Sequence, residues 1–155
     1  MRTLMAQAFT RQEVTALRHA IGRQAAESGL CGIRLEDFVL AVHESVTNAV
    51  EHAGGHGSLK MWTCDGLLQA QTVDQGTGIP DGYLNGHGQP SGMSFTGRGI
   101  YLIRRLCDGV DIRTGPLGTT VEITMRLPRT PRGSAPPMKR VRVAMDAVQW
   151  RHFTA

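Results

Sequence analysis

The sequence predicts an α+β fold of two layers, a mixed, mainly antiparallel sheet with helices on one face. Three stretches of the chain carry that prediction. Residues 34–53 repeat apolar side chains at steps of three and four (Leu35, Phe38, Val42, Val46, Ala49, Ala53), the buried stripe of a long helix. Residues 59–64 and 67–73 flank Asp65-Gly66, a pair that suits a tight hairpin turn. Residues 119–127 alternate: Val121, Ile123, Met125 and Leu127 fall on one side, and Thr120, Glu122, Thr124 and Arg126 on the other. That is a strand with one buried face.

The other elements come in order. Residues 5–9 are expected as a short strand. Thr10 and Glu13 have capping-box spacing, so a helix is expected to start there. Val14, Leu17 and Ile21 with Ala20 and Ala25 form its apolar stripe, and Gly29 ends it. Gly54-Gly55 stops the second helix. Residues 81–96 hold four of the chain's 19 glycines and read as a long loop, a length that is usually functional or disordered. A helix over 98–107, capped by Thr96, then presents Ile100, Ile103, Leu106 and Cys107 on one side. A strand over 110–113 and a turn at 115–118 lead into the last strand.

A chain of 155 residues with 41% hydrophobic and 19% charged composition is expected to form one globular domain. No apolar run approaches the roughly 20 residues of a membrane span. Residues 1–9 are too short and mixed for a signal peptide, so a cytoplasmic location and no membrane partner are expected. Cys31, Cys64 and Cys107 have no metal spacing and read as buried reduced thiols. The net charge of +4 is uneven: residues 1–125 hold 10 Lys+Arg against 12 Asp+Glu, and residues 126–155 hold 7 against 1. We therefore expect a folded domain over 1–127 and, over 128–155, a Pro/Arg-rich linker with a basic tail. The tail reads as a solvated end, with no direct nucleic-acid binding expected.

Three motifs carry chemistry. Glu44 and Asn48 lie one helical turn apart, about 200° and 240° around the helix from Val42, so they share a face away from the apolar stripe. An Asn carbonyl oxygen suits Mg²⁺, and a neighbouring carboxylate can take a proton from an attacking hydroxyl. His43-Glu44 suggests a zinc protease, but Thr47 occupies the place of the second histidine. Asp74 comes after a strand and precedes Gly76 and Gly78, which permit close backbone approach beside an acid able to accept from a base amine. Gly97-Arg98-Gly99 opens the next helix, where uncovered N–H groups and a guanidinium suit phosphate. Each motif alone is also what a polar helix face, an Asp-Gly turn or a capped helix provides. A dinucleotide fingerprint and a Walker A loop are both absent.

Together, Glu44-x-x-x-Asn48, Asp74-x-Gly76-x-Gly78 and Gly97-x-Gly99, in this order, resemble the N, G1 and G2 boxes of the GHKL superfamily of ATPases. That superfamily holds gyrase B subunits, heat-shock chaperones, histidine kinases and mismatch-repair ATPases. The resemblance covers roughly residues 10–127. Residues 47–53, 99–106 and 118–121 are phrased like the small bacterial anti-sigma factors that are also serine protein kinases, and the short segment between Pro80 and Gly97 fits them. The resemblance implies the Bergerat ATP-binding fold, ATP/ADP and Mg²⁺ as ligands, and Glu44 as catalytic base. It implies Asn48 as the magnesium ligand and Asp74 as the adenine reader, helped by Thr120. Gly76, Gly78, Ile79, Gly97 and Gly99 would shape the pocket and lid, and Arg98 would touch phosphate. A sigma factor, an anti-anti-sigma protein of STAS type and a second copy of the chain are the implied partners. The alternative is a non-catalytic, nucleotide-dependent protein-binding regulator. Two features depart from the pattern: Ser94-Phe95-Thr96 stands where many members have further glycines, and the basic tail has no family counterpart.

Overall fold

The computed structural model describes residues 1–84 and 95–129. Strand β1 (Arg2–Thr10) leads through a 3-10 turn into helix α1 (Val14–Glu27). The turn is fastened by the Glu13 carboxylate, which accepts from the Thr10 N–H at 2.7 Å and the Thr10 hydroxyl at 3.0 Å. Helix α1 ends in a Schellman arrangement: the Gly29 N–H donates to the Ala26 carbonyl and the Leu30 N–H to that of Ala25. Gly29 has φ +108°, which a side chain would resist. Helix α2 (Gly32–His52) comes next, stopped by Gly54 and Gly55, both at positive φ.

Strands β2 (His56–Cys64) and β3 (Leu67–Val73) form the expected hairpin, with Cys64 opposite Leu67 and left-handed Asp65 and Gly66 between them. A single helical turn, α3 (Asp81–Leu84), occupies the start of the expected loop. The rest of that loop, and the linker and tail beyond residue 129, lie outside the described residues. Helix α4 (Phe95–Leu106), β4 (Gly109–Gly115) and β5 (Gly118–Arg126) complete the order. Helix α4 begins at Phe95 rather than Arg98, so Thr96 is not its cap, and Gly97 and Gly99 lie within its first turns.

The sheet order is β1-β2-β3-β5-β4, and each of the four pairings is antiparallel, without the parallel component a mixed sheet would have. Helix α2 crosses β2, β3 and β5, while α1 packs on β1 and α4 on β4 and α2. Between the layers lie Phe9, Phe38, Val42, Leu59, Met61, Leu68, Ile103, Ile123 and Met125, all 1% exposed or less. The other sheet face is polar. There the Trp62 indole N–H donates to Gln69, whose amide and that of Gln71 donate to Glu122. The cysteines are free, but none is fully buried: Cys31 is exposed, and Cys64 and Cys107 are partly so. Among the described residues no helix is long and apolar enough to cross a membrane.

Candidate functional site

Helix α2, the end of β3, the start of α4 and strand β5 enclose a cavity of about 260 Å³. Helix α2 contributes Ser45, Asn48 and His52 at helical spacing i, i+3, i+7. Strand β3 and the segment after it contribute Thr72, Asp74, Gly76, Gly78 and Ile79, with Ile100 from α4 and Thr119 and Val121 from β5. A larger depression of about 440 Å³ lies by the β2–β3 turn, away from all three motifs.

Asp74 organises one wall. Its Oδ1 accepts from the Gly76 N–H at 2.9 Å and the Thr119 N–H at 3.1 Å, and its own N–H donates to the Thr119 carbonyl. Among the described residues these carboxylate bonds fall on Oδ1, leaving Oδ2 able to accept from a ligand. The wall continues through Thr119 Oγ1, 2.9 Å from Thr114 Oγ1, which accepts from the Ile79 N–H at 2.7 Å. Glycine is required by close approach. A Cβ on Gly76 would stand 2.8 Å from that of Ala53, and one on Gly78, itself at φ +89°, 2.7 Å from the Gly115 carbonyl oxygen.

Gly99 joins the first and third motifs. A Cβ there would lie 3.1 Å from Asn48 Nδ2, 3.2 Å from Asn48 Oδ1 and 3.2 Å from Glu44 Oε2. The carboxylate and the amide therefore meet over bare backbone at the start of α4. Burial holds the Glu44 carboxyl above the ordinary glutamate value; Glu51 adds to the rise, while Arg98 and Arg18 pull it down. Arg98 is exposed, yet its charge reaches Glu44. His43, the histidine of the zinc-protease pattern, does not line the cavity, and burial and Arg18 keep its imidazole below the ordinary histidine value. Among the described residues no group of three or more His, Cys, Asp or Glu side chains is placed to hold a metal.

The structure thus gathers Asn48, Asp74, Gly76, Gly78 and Ile79 at the cavity and Glu44 and Gly99 beside it, with Gly97 in the first turn of α4. It does not bring Thr120 there. Thr120 pairs with Val73 and Arg113 in the outward row that includes Glu122, while Thr119 is 6% exposed and lines the cavity. Strand alternation forces this: hydroxyls at consecutive positions face opposite ways. The signal is legible in the sequence, because the pattern that turns Glu122 outward turns Thr120 with it. Ser45, an unspecified position of the first motif, and Thr72, outside all three, are cavity residues to which the motifs give no role. Ser45 falls among Phe38, Ala41, Val42 and Ala49 at steps of three and four, and a hydroxyl within an apolar stripe is itself a signal.

Known proteins bear on this arrangement in two ways. A family model described as the histidine kinase-like ATPase domain matches residues 8–125. No curated protein matches in sequence. Among solved structures, the RsbU and RsbW domains of Rv1364c from Mycobacterium tuberculosis align with 84% of this chain at 24% identity and a TM-score of 0.57. This chain spans 35% of that structure's length. The mycobacterial sensor histidine kinase MprB aligns with 81% of this chain over its own entire length, at 18% identity and a TM-score of 0.50. These two likenesses concern the fold. The extent of the family match, which takes in all the cavity residues, decides the classification: the chain belongs to the histidine kinase-like ATPase domain family.

Proposed function

We propose that the domain binds Mg-ATP in the cavity and transfers the γ-phosphoryl group to a serine hydroxyl on a partner protein, as an anti-sigma factor with kinase activity. The observation that carries the reading is that the Glu44 carboxylate and the Asn48 amide both face bare Gly99, where a Cβ would stand 3.1–3.2 Å from each, beside the Asp74 cavity. Binding alone needs no carboxylate there. The residues suit the nucleotide: Asp74 Oδ2 is open, Gly76 and Gly78 line the cavity without side chains, and the Asn48 amide oxygen is a hard donor.

In this reading Asp74 Oδ2 accepts from the adenine amine, while Gly76, Gly78 and Ile79 form the walls. Arg98 would reach the phosphates. Asn48 would hold Mg²⁺, whose charge offsets that of the phosphates. Glu44 accepts the proton of the incoming serine hydroxyl as its oxygen bonds to phosphorus and the bond to ADP breaks. A carboxyl raised by burial is the better base near neutral pH. Catalysis is mostly positioning and electrostatics. The regulatory half of the proposal rests on the motif phrasing: the partners would be a sigma factor, held by the nucleotide-bound form, and a STAS-type antagonist carrying the serine. Homodimerisation and a cytoplasmic setting belong to the same proposal.

The test compares wild type with Glu44→Ala in the presence of γ-labelled ATP, Mg²⁺ and an extract of the source cell. Serine labelling of a small protein by wild type only, with ADP affinity equal in both within twofold by calorimetry, is the expected result. Equal affinity with no labelling by either protein would favour the nucleotide-dependent binding module.

A further inference from the structure

Ser45 is 2% exposed, and its hydroxyl oxygen has no hydrogen-bond partner. Among the described residues it is the one buried side-chain polar atom left in that condition. An unmet buried hydroxyl destabilises the folded state. Alanine would fit the stripe equally well, as Ala41 and Ala49 do one turn either side. Ser45 lines the cavity with Asn48 and His52, on the α2 face toward Asp74.

The cavity therefore offers two polar groups with spare capacity of opposite kind. Asp74 Oδ2 is the carboxylate oxygen left open as an acceptor, since Oδ1 is taken by the Gly76 and Thr119 amides. The Ser45 hydroxyl can donate. Adenine presents an amine donor between two ring-nitrogen acceptors, N1 and N7, whereas guanine presents the acceptor O6 between N7, an acceptor, and N1–H, a donor. Building on the nucleotide reading above, we propose that Ser45 is a specificity-determining residue: its hydroxyl donates to a ring nitrogen adjoining the amine that Asp74 accepts. Guanine would set its O6 against the Asp74 carboxylate. A purine without the ring nitrogen would leave the Ser45 hydroxyl unmet.

The test measures affinities for ADP, 1-deaza-ADP, 7-deaza-ADP and GDP by calorimetry in wild type, Ser45→Ala and Ser45→Cys, beside the unfolding temperature of each ligand-free protein. Wild type should bind ADP best and lose about tenfold for one of the two deaza analogues. Ser45→Ala should bind ADP about 5–10-fold more weakly and show no further loss for that analogue, while unfolding no earlier than wild type. Ser45→Cys, similar in size with a weak donor, should fall between. ADP binding by Ser45→Ala within twofold of wild type would overturn the proposal. So would a full deaza penalty surviving in Ser45→Ala, or a lowered unfolding temperature showing the hydroxyl to be structural. Failure of wild type to bind any adenine nucleotide would instead bring down the nucleotide reading itself.

Discussion

Consecutive threonines on β5 separate the readings of this site most cleanly. Thr119 Oγ1 bonds Thr114 on the cavity wall, and Thr120 faces the open side of the sheet. Thr119→Val should therefore weaken ADP binding about 5–10-fold, and Thr120→Val should leave it within twofold, as read by calorimetry. Family resemblance points to a hydroxyl in this strand, and only the strand's parity says which one. Glu44 gives a pH-dependent test. Burial raises its carboxyl in the folded state, so the acid limb of the pH–rate profile should lie above the ordinary glutamate value. The raised value also means that ionising Glu44 destabilises the folded state. That cost is absent below the unfolded-state value and develops as pH rises through the folded one. Glu44→Gln should accordingly raise the unfolding temperature at pH 7 more than at pH 4. The thiols differ in the same physical way: burial, then Asp108 and Asp37, push Cys107 up to about 12, so alkylation should reach exposed Cys31 long before it.

Helices and strands are legible in the sequence where one periodicity dominates, as in α2 and β5, and less so at their ends. Helix α4 starts three residues before its expected position, because Gly97 and Gly99 look like helix breakers. Gly99 instead lies inside the helix, where a side chain would crowd Asn48 and Glu44. That crowding is tertiary and invisible in a local window. The Arg34–Asp108 pair is hidden for the same reason, since it spans 74 residues. Asp108 accepts both guanidinium nitrogens of Arg34 and the Arg126 N–H, clasping the start of α2 to the α4–β4 junction and the end of β5. Those bonds hold its carboxyl below the ordinary aspartate value. They add stability above the unfolded-state value and lose it as pH falls through the folded one. Because Arg34 is largely solvated, Asp108→Asn should cost only about 1 kcal/mol at pH 7, a cost that shrinks as pH falls through the folded-state value, by denaturant titration. Gly118→Ala should cost about 3 kcal/mol, since φ is +137° and a Cβ would overlap the Asp74 carbonyl oxygen.

At the scale of the molecule, the layered fold can be anticipated from the alternation of apolar periods. Sheet order cannot, because strand pairing joins residues such as Val73 and Thr120 that share no local signal. We propose that residues 1–127 fold independently of the C-terminal segment; deleting residues 129–155 should change neither the unfolding temperature nor ADP affinity, as read by calorimetry. The Asp74–Thr119–Thr114 network has a further consequence. The amide hydrogens of Gly76, Ile79 and Thr119 are all fastened to it, though they come from two separated stretches of the chain. Loss of any one anchor should release them together, so their isotope exchange is a native clock for the opening of this wall. A nucleotide that occupies the wall slows that clock by mass action, in proportion to its concentration over its dissociation constant. Occupancy of the site can therefore be timed from three backbone protons, with no label attached and no partner protein in the tube.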